Sequence, residues 1–188
     1  MSVGRWFGVG VAGLSLLAAC SGGGSGSAAK STTTTVSSTT TTLAVTTTTS
    51  PEDAVKAAWS GYWAMIERLL QAPNGNDPEL ATRTGEPLLS SVRDDLSTRA
   101  AEGKRLVIPA GAKYAHRLDH VTLQSPTTAT VTGCKFDDSL LVGPNGETVD
   151  DSVTTSRITA SFALDGSTWK AIDVRFSDTK QGIAECAD

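Results

Sequence analysis

"TASFALDGSTWKAIDVRF", Thr159 to Phe176, is the stretch on which the reading of the fold turns. Two runs rich in threonine, β-branched and aromatic residues flank an Asp165-Gly166 step, a strong signal for a tight β-hairpin. The same texture reaches back to about Ala115. Strands are expected at about Ala115–Leu123, Thr128–Asp137, Val153–Leu164 and Thr168–Ser177, separated by "QSPTT", "VGPNGETVDD" and "LDGST". Turn signals at such intervals describe an antiparallel sheet.

Ahead of Gly103 the period is different. Ser50-Pro51-Glu52-Asp53 reads as an N-cap, a proline at the first helical position and acids in the first turn. Val55, Trp59, Tyr62, Trp63, Ile66, Leu69 and Leu70 then recur at three- and four-residue spacing, an amphipathic helix that ends near "APNGND". A short second helix runs from Asp77-Pro78 to about Thr84. A third follows Gly85-Glu86-Pro87, with Leu88, Leu89, Val92 and Leu96 on one side, and stops at Gly103. Helices first and a meander of strands afterwards make an α+β domain.

The N-terminus carries an address. One cation, Arg5, precedes an apolar run from Trp6 to Leu17, shorter than the roughly 20 residues a transmembrane helix needs. It has the length of a signal-peptide core. Leu17-Ala18-Ala19-Cys20 looks like a bacterial lipobox. That resemblance implies a lipoprotein signal peptide over residues 1–19, with diacylglycerol on the Cys20 sulfur, a thiolate being a good nucleophile. The implied location is the outer face of a bacterial cytoplasmic membrane. Residues 20–50 follow as a Gly/Ser/Thr-rich tether whose one charge is Lys30. It has too little apolar surface to offset the entropy of ordering, so disorder is expected. As a flexible coil its ends would lie about 30 Å apart.

Residues 51–188 remain, a length suited to one core. All 20 acidic residues fall there, while two of the 16 basic ones, Arg5 and Lys30, do not, so the domain carries a formal charge of −6. No basic stripe interleaved with aromatics occurs, which excludes nucleic acid as an expected partner. With Cys20 committed to lipid, Cys134 and Cys186 form an even pair in an exported chain, and a structural disulfide between them is expected.

The three N-terminal helices, the strand "ATVTGCKFDDS", the strand ending in "ALDGSTWKAIDV" and the late cysteine resemble the nuclear transport factor 2-like superfamily. This is the cystatin-like or ketosteroid isomerase-like cone, and more narrowly the chain looks like the small actinobacterial lipoproteins of that fold. The motifs are Ala129-Thr130-Val131…Cys134 and Asp165-Gly166…Trp169-Lys170. The resemblance implies a curved antiparallel sheet wrapped round the first helix, with a pocket at its open end. Trp59, Tyr62, Trp63 and Ile66 would then line the pocket.

That fold hosts isomerases and dehydratases alongside members that only bind or assemble. His116 and His120 would share a face on a helix, but on a strand they stand roughly 13 Å apart with Asp119 on the opposite side. Zinc distances near 2 Å are then out of reach, so no metal or other cofactor is expected there. The acidic pairs Asp137-Asp138 and Asp150-Asp151 read as solvated turn residues, and no catalytic residue is assigned. The expected function is a lipid-anchored envelope protein with a non-catalytic domain that binds a small apolar ligand or another envelope protein. The alternative is a small isomerase, dehydratase or hydrolase using the same pocket. If Cys20 is the anchor, Cys20→Ser should abolish lipid attachment and release the protein from the membrane fraction. A mutant that still matured and sedimented with membranes like wild type would rule out the anchor.

Overall fold

The computed structural model describes residues 49–186. The expected signal peptide, Cys20 and the tether as far as residue 48 lie outside the described residues. What is described is an α+β domain of three helices, then antiparallel strands in two sheets.

Helix α1 spans Pro51–Gln71. The Ser50 hydroxyl accepts the Asp53 amide at 3.1 Å, satisfying one of the donors a helix start leaves free. Lys56 pairs with Glu52 one turn back at 2.7 Å. The stripe Val55, Trp59, Tyr62, Trp63, Met65, Ile66 and Leu69 is buried. Arg68, in the last turn, reaches Asp77 at 3.0 Å and Glu79 at 2.9 Å. Those contacts fasten the short α2, Glu79–Arg83. Its exit bridges to the sheet, because Thr84 pairs in parallel with Ala171 and the Gly85 amide donates to the Ala171 carbonyl at 2.8 Å. Helix α3, Leu88–Glu102, ends on Gly103, whose φ of 65° supplies the left-handed cap that favours glycine.

The strands are β1 Arg105–Val107, β2 Ala115–Ser125, β3 Thr128–Asp137, β4 Leu140–Val142, β5 Thr148–Asp150, β6 Thr154–Asp165 and β7 Thr168–Gln181. The main sheet has the order β2-β3-β6-β7. Asp165 pairs with Thr168 across the tight turn that Asp165-Gly166 announces. Pairings Ala129↔Phe162, Val131↔Ala160 and Gly133↔Ile158 set the helix-facing side of the two central strands, and these residues form the core with the α1 stripe, Trp169 and Ala171. The long strands begin and end within a few residues of the expected positions. A small sheet of order β1-β4-β5 was not expected. It gathers Leu106 and Val142, both buried, out of segments that read as loop and hairpin turn.

Cys134 lies on the other side of β3 and forms the expected disulfide with Cys186, Cα to Cα 5.9 Å. Residues after β7 thereby lie back over that side. The Gly182 amide donates to Val153 at 2.8 Å, the Ala184 amide to the Thr155 hydroxyl at 3.0 Å, and Arg117 reaches Glu185 at 2.7 Å. Phe136 is buried on this side, with the Lys113 ammonium 3.9 Å from its ring centre. The disulfide spans 52 residues, a loop for which chain entropy suggests about 4 kcal/mol. Cys134→Ser and Cys186→Ser should each lower the free energy of unfolding by about that much, and the double mutant by no more than either. Two fully independent losses in denaturant titrations would contradict the bond as a stabilising unit.

Candidate functional site

The inner alternation of β3 changes character along the strand. Ala129, Val131 and Gly133 pack against the core, and the same side continues with Lys135 and Asp137. His116 on β2 is the register partner of Lys135. Between Leu118 and His120 the register shifts, with Asp119 as the extra residue. Such a bulge reverses the side on which later residues emerge. His116 therefore faces inward while His120 is exposed on the other side. The two imidazoles do not converge, and among the described residues no group of three or more His, Cys, Asp or Glu is arranged to hold a metal.

His116 lies flat on Trp63, ring centres 3.8 Å apart and planes 5° from parallel. Tyr114 meets its edge at 5.3 Å. Trp63 is in turn braced by Trp59 at 5.6 Å and Tyr62 at 4.9 Å, both edge-on, arrangements that suit the charge distribution of aromatic rings. The rings of Tyr62, Trp63, Tyr114 and His116 line a cavity of about 280 Å³, together with Ile66, Val92 and Phe176. A second, more polar compartment of about 190 Å³ adjoins it, lined by Asp137, Ser139, Asp150 and Ser152. Leu70, Arg99, Tyr114 and Lys135 line both.

Of the four residues expected at a pocket, Tyr62, Trp63 and Ile66 line the larger compartment. Trp59 does not. Its indole lies against Gly133, and its Nε1 donates to the His116 carbonyl at 3.3 Å, so it supports the wall from behind. Tyr114, His116, Lys135, Asp137 and Phe176 were not anticipated. The available signal was polar residues on the inward alternation of an otherwise apolar strand, at positions 135 and 137.

Electrostatically, Lys135 and Asp137 neutralise one another at the junction of the two compartments. Burial opposes ionisation of Asp137, but hydrogen bonds from Lys135, at 2.6 Å, and from Ser139 outweigh it and hold the carboxyl below its usual range. Burial and the nearby Lys135 charge, offset in part by Asp137, push the His116 imidazole down to about 3, so it is neutral at physiological pH. Burial raises the Tyr62 hydroxyl, and burial with the Asp137 charge raises that of Tyr114, keeping both phenols protonated. The Nε1 of Trp63 and the Nε2 of His116 are buried without hydrogen-bond partners.

No protein-family model matches the sequence, and no curated protein matches it. Among solved structures, the intermembrane space region of the chloroplast protein ARC6 is similar, with a TM-score of 0.53 and 20% identity over 69% of this chain and 98% of that one. The likeness is one of fold alone. A de novo designed β-sheet protein also aligns, at 20% identity over 72% of this chain and 96% of that one, but its TM-score of 0.32 is too low to bear on the fold.

The depressed imidazole has a thermodynamic consequence. A histidine that binds its proton less readily when folded than when unfolded makes stability fall as pH drops below the unfolded value near 6.5. Between pH 7 and 5 the loss from His116 alone should be about 2 kcal/mol. His116→Phe, which keeps a ring on Trp63, should flatten the stability profile by that amount in this window. Parallel profiles for variant and wild type would show that the imidazole is not buried as described.

Proposed function

We propose that the chain is a lipid-anchored envelope protein, attached through Cys20 to the outer face of a bacterial cytoplasmic membrane. Its 51–188 domain, in this reading a cystatin-like cone carried on a tether, holds a small apolar ligand without transforming it. The observation that carries the binding role is the aromatic-walled cavity of about 280 Å³. Concave sites lined by aromatic and aliphatic side chains, with a few convergent polar groups, are where small molecules are held.

The same chemistry weighs against the isomerase, dehydratase or hydrolase alternative. A general base works best with a pKa near the working pH and needs to reach its substrate. His116 sits near 3 with its Nε2 covered. Asp137 is ionised but tied to Lys135 and Ser139. Neither carries a proton that exchanges near neutrality.

The test is binding of the neutral fluorophore N-phenyl-1-naphthylamine to the purified full chain carrying Cys20→Ser, which removes competition from an attached acyl chain. Its fluorescence should rise on binding. Val92→Trp, which adds volume at the cavity wall, should weaken the affinity at least about tenfold, a change of about 1.4 kcal/mol, with little effect on the melting temperature. No fluorescence rise in wild type, or equal affinity in Val92→Trp, would remove the cavity as the binding site.

A further inference from the structure

One guanidinium stands at the junction of the two compartments with most of its donors unused. Arg99, in the last turn of α3, lines both. Its Nε donates to one carboxylate oxygen of Asp95 at 2.8 Å, and among the described residues its two Nη nitrogens make no hydrogen bond. The charges around it are unequally screened. Arg99, Lys135 and Asp137 are the shielded ones, with side chains 29%, 23% and 18% exposed, whereas Asp95 is 54% exposed and Asp150 is open to solvent. Carboxylates in water are screened far more than those held away from it, so Asp95 and Asp150 offset the buried charge only weakly. Glu67, whose charge is felt at the Tyr114 phenol, lines neither compartment. With Lys135 and Asp137 cancelling, the shielded lining keeps the single positive charge of Arg99.

From this we infer that the cavity takes an amphiphilic monocarboxylate, its apolar body against Trp63, Val92 and Phe176 and its carboxylate on the Nη groups of Arg99. The inference rests on the binding reading above and names the ligand class. A guanidinium engaged through Nε alone still presents its Nη pair, a fork that meets both oxygens of a carboxylate side by side. Binding there breaks no existing pair, since Asp95 keeps Nε and Asp137 keeps Lys135. The protonated Tyr114 phenol belongs to a residue lining the same junction and is a further donor. A cationic head finds no equivalent. The Lys135 ammonium already lies over the rings of Tyr114 and Phe176, 5.9 and 5.4 Å from their centres. A dianionic head, such as a phosphate monoester, would bring one charge more than Arg99 supplies and set it near Asp137 in the polar compartment.

The experiment is displacement of bound N-phenyl-1-naphthylamine from the full chain carrying Cys20→Ser. Decanoate, decyltrimethylammonium and decyl phosphate, matched in chain length and kept below their micelle concentrations, are compared at pH 8, where a phosphate monoester is dianionic. Decanoate should displace the probe at concentrations at least about tenfold lower than the ammonium does, and lower than decyl phosphate does. Arg99→Gln should cost decanoate at least about tenfold and bring it within about threefold of the ammonium. Arg99→Lys, which keeps the charge and loses the fork, should fall between the two. An ammonium within about threefold of decanoate on the unsubstituted cavity, or a phosphate that matches or betters it, overturns the inference. So does a decanoate advantage that Arg99→Gln leaves intact. The comparison of head groups on the unsubstituted cavity decides by itself should Arg99→Gln not fold. If the probe binds and no amphiphile displaces it, the ligand class is wrong while the cavity reading stands. If the probe does not bind, both fall together.

Discussion

The indole of Trp59 and the missing side chain of Gly133 fit one another, and the interior is arranged around that contact. A Cβ at position 133 would meet the Trp59 ring at about 2.9 Å and would run into the Arg117 carbonyl. Only a glycine lets helix and strand approach this closely. With the ring seated, its Nε1 reaches the carbonyl of His116 on the edge strand, so one side chain links α1 to β3 by packing and to β2 by a hydrogen bond. Trp63, one turn along, takes its edge contact from Trp59 and presents its face to His116. The cavity wall is thus a continuation of the packing that fixes the helix on the sheet. A cavity built this way is held in shape by the core rather than by loops.

The opposite side of the sheet faces a different problem. Phe136 and Cys134 project there, away from every helix, and would be wet without a cover. The chain supplies one from its own end, by turning back after β7 and pinning Cys186 to Cys134. Arg117 contributes to that cover through Glu185 and through Asp119 at 2.8 Å. The bulge that brings Asp119 into position also turns His120 outward. A domain of this size has little surplus stability, and a covalent clasp over the second face offsets the lack of a second layer of helices.

How much of this was legible in the sequence depended on the length and contrast of each pattern. The long strands and the capped helices stood out because alternation or helical spacing ran for ten residues or more and ended on glycine, proline or a capping serine. The small sheet did not. Strands of three residues, such as Leu140–Val142, are too short to show a period. The helix half of the cavity was legible as an aromatic stripe on α1, though spacing could not separate Trp59, which backs the wall, from Trp63, which forms it. The strand half was obscured for two reasons. Lys135 and Asp137 look like solvated residues unless the alternation of β3 is followed past Gly133. His116 and His120 look equivalent until the bulge at Asp119 assigns them to opposite faces.

His116 is the residue on which the proposed choice between binding and catalysis turns. Stacking the imidazole on Trp63 removes it from water, and the Lys135 charge further disfavours its protonated form. Its Nε2 is left buried and unpaired beside the equally unpaired Nε1 of Trp63. Unsatisfied groups of this kind cost stability, and an acid–base role would require His116 to exchange protons readily near neutral pH. Here the ring is neutral and covered, acting chiefly as a flat surface. In the polar compartment Lys135 and Asp137 are likewise tied to each other. What remains available to an occupant is aromatic area, a few hydroxyls, the Nη groups of Arg99 and the exposed Asp150 carboxylate.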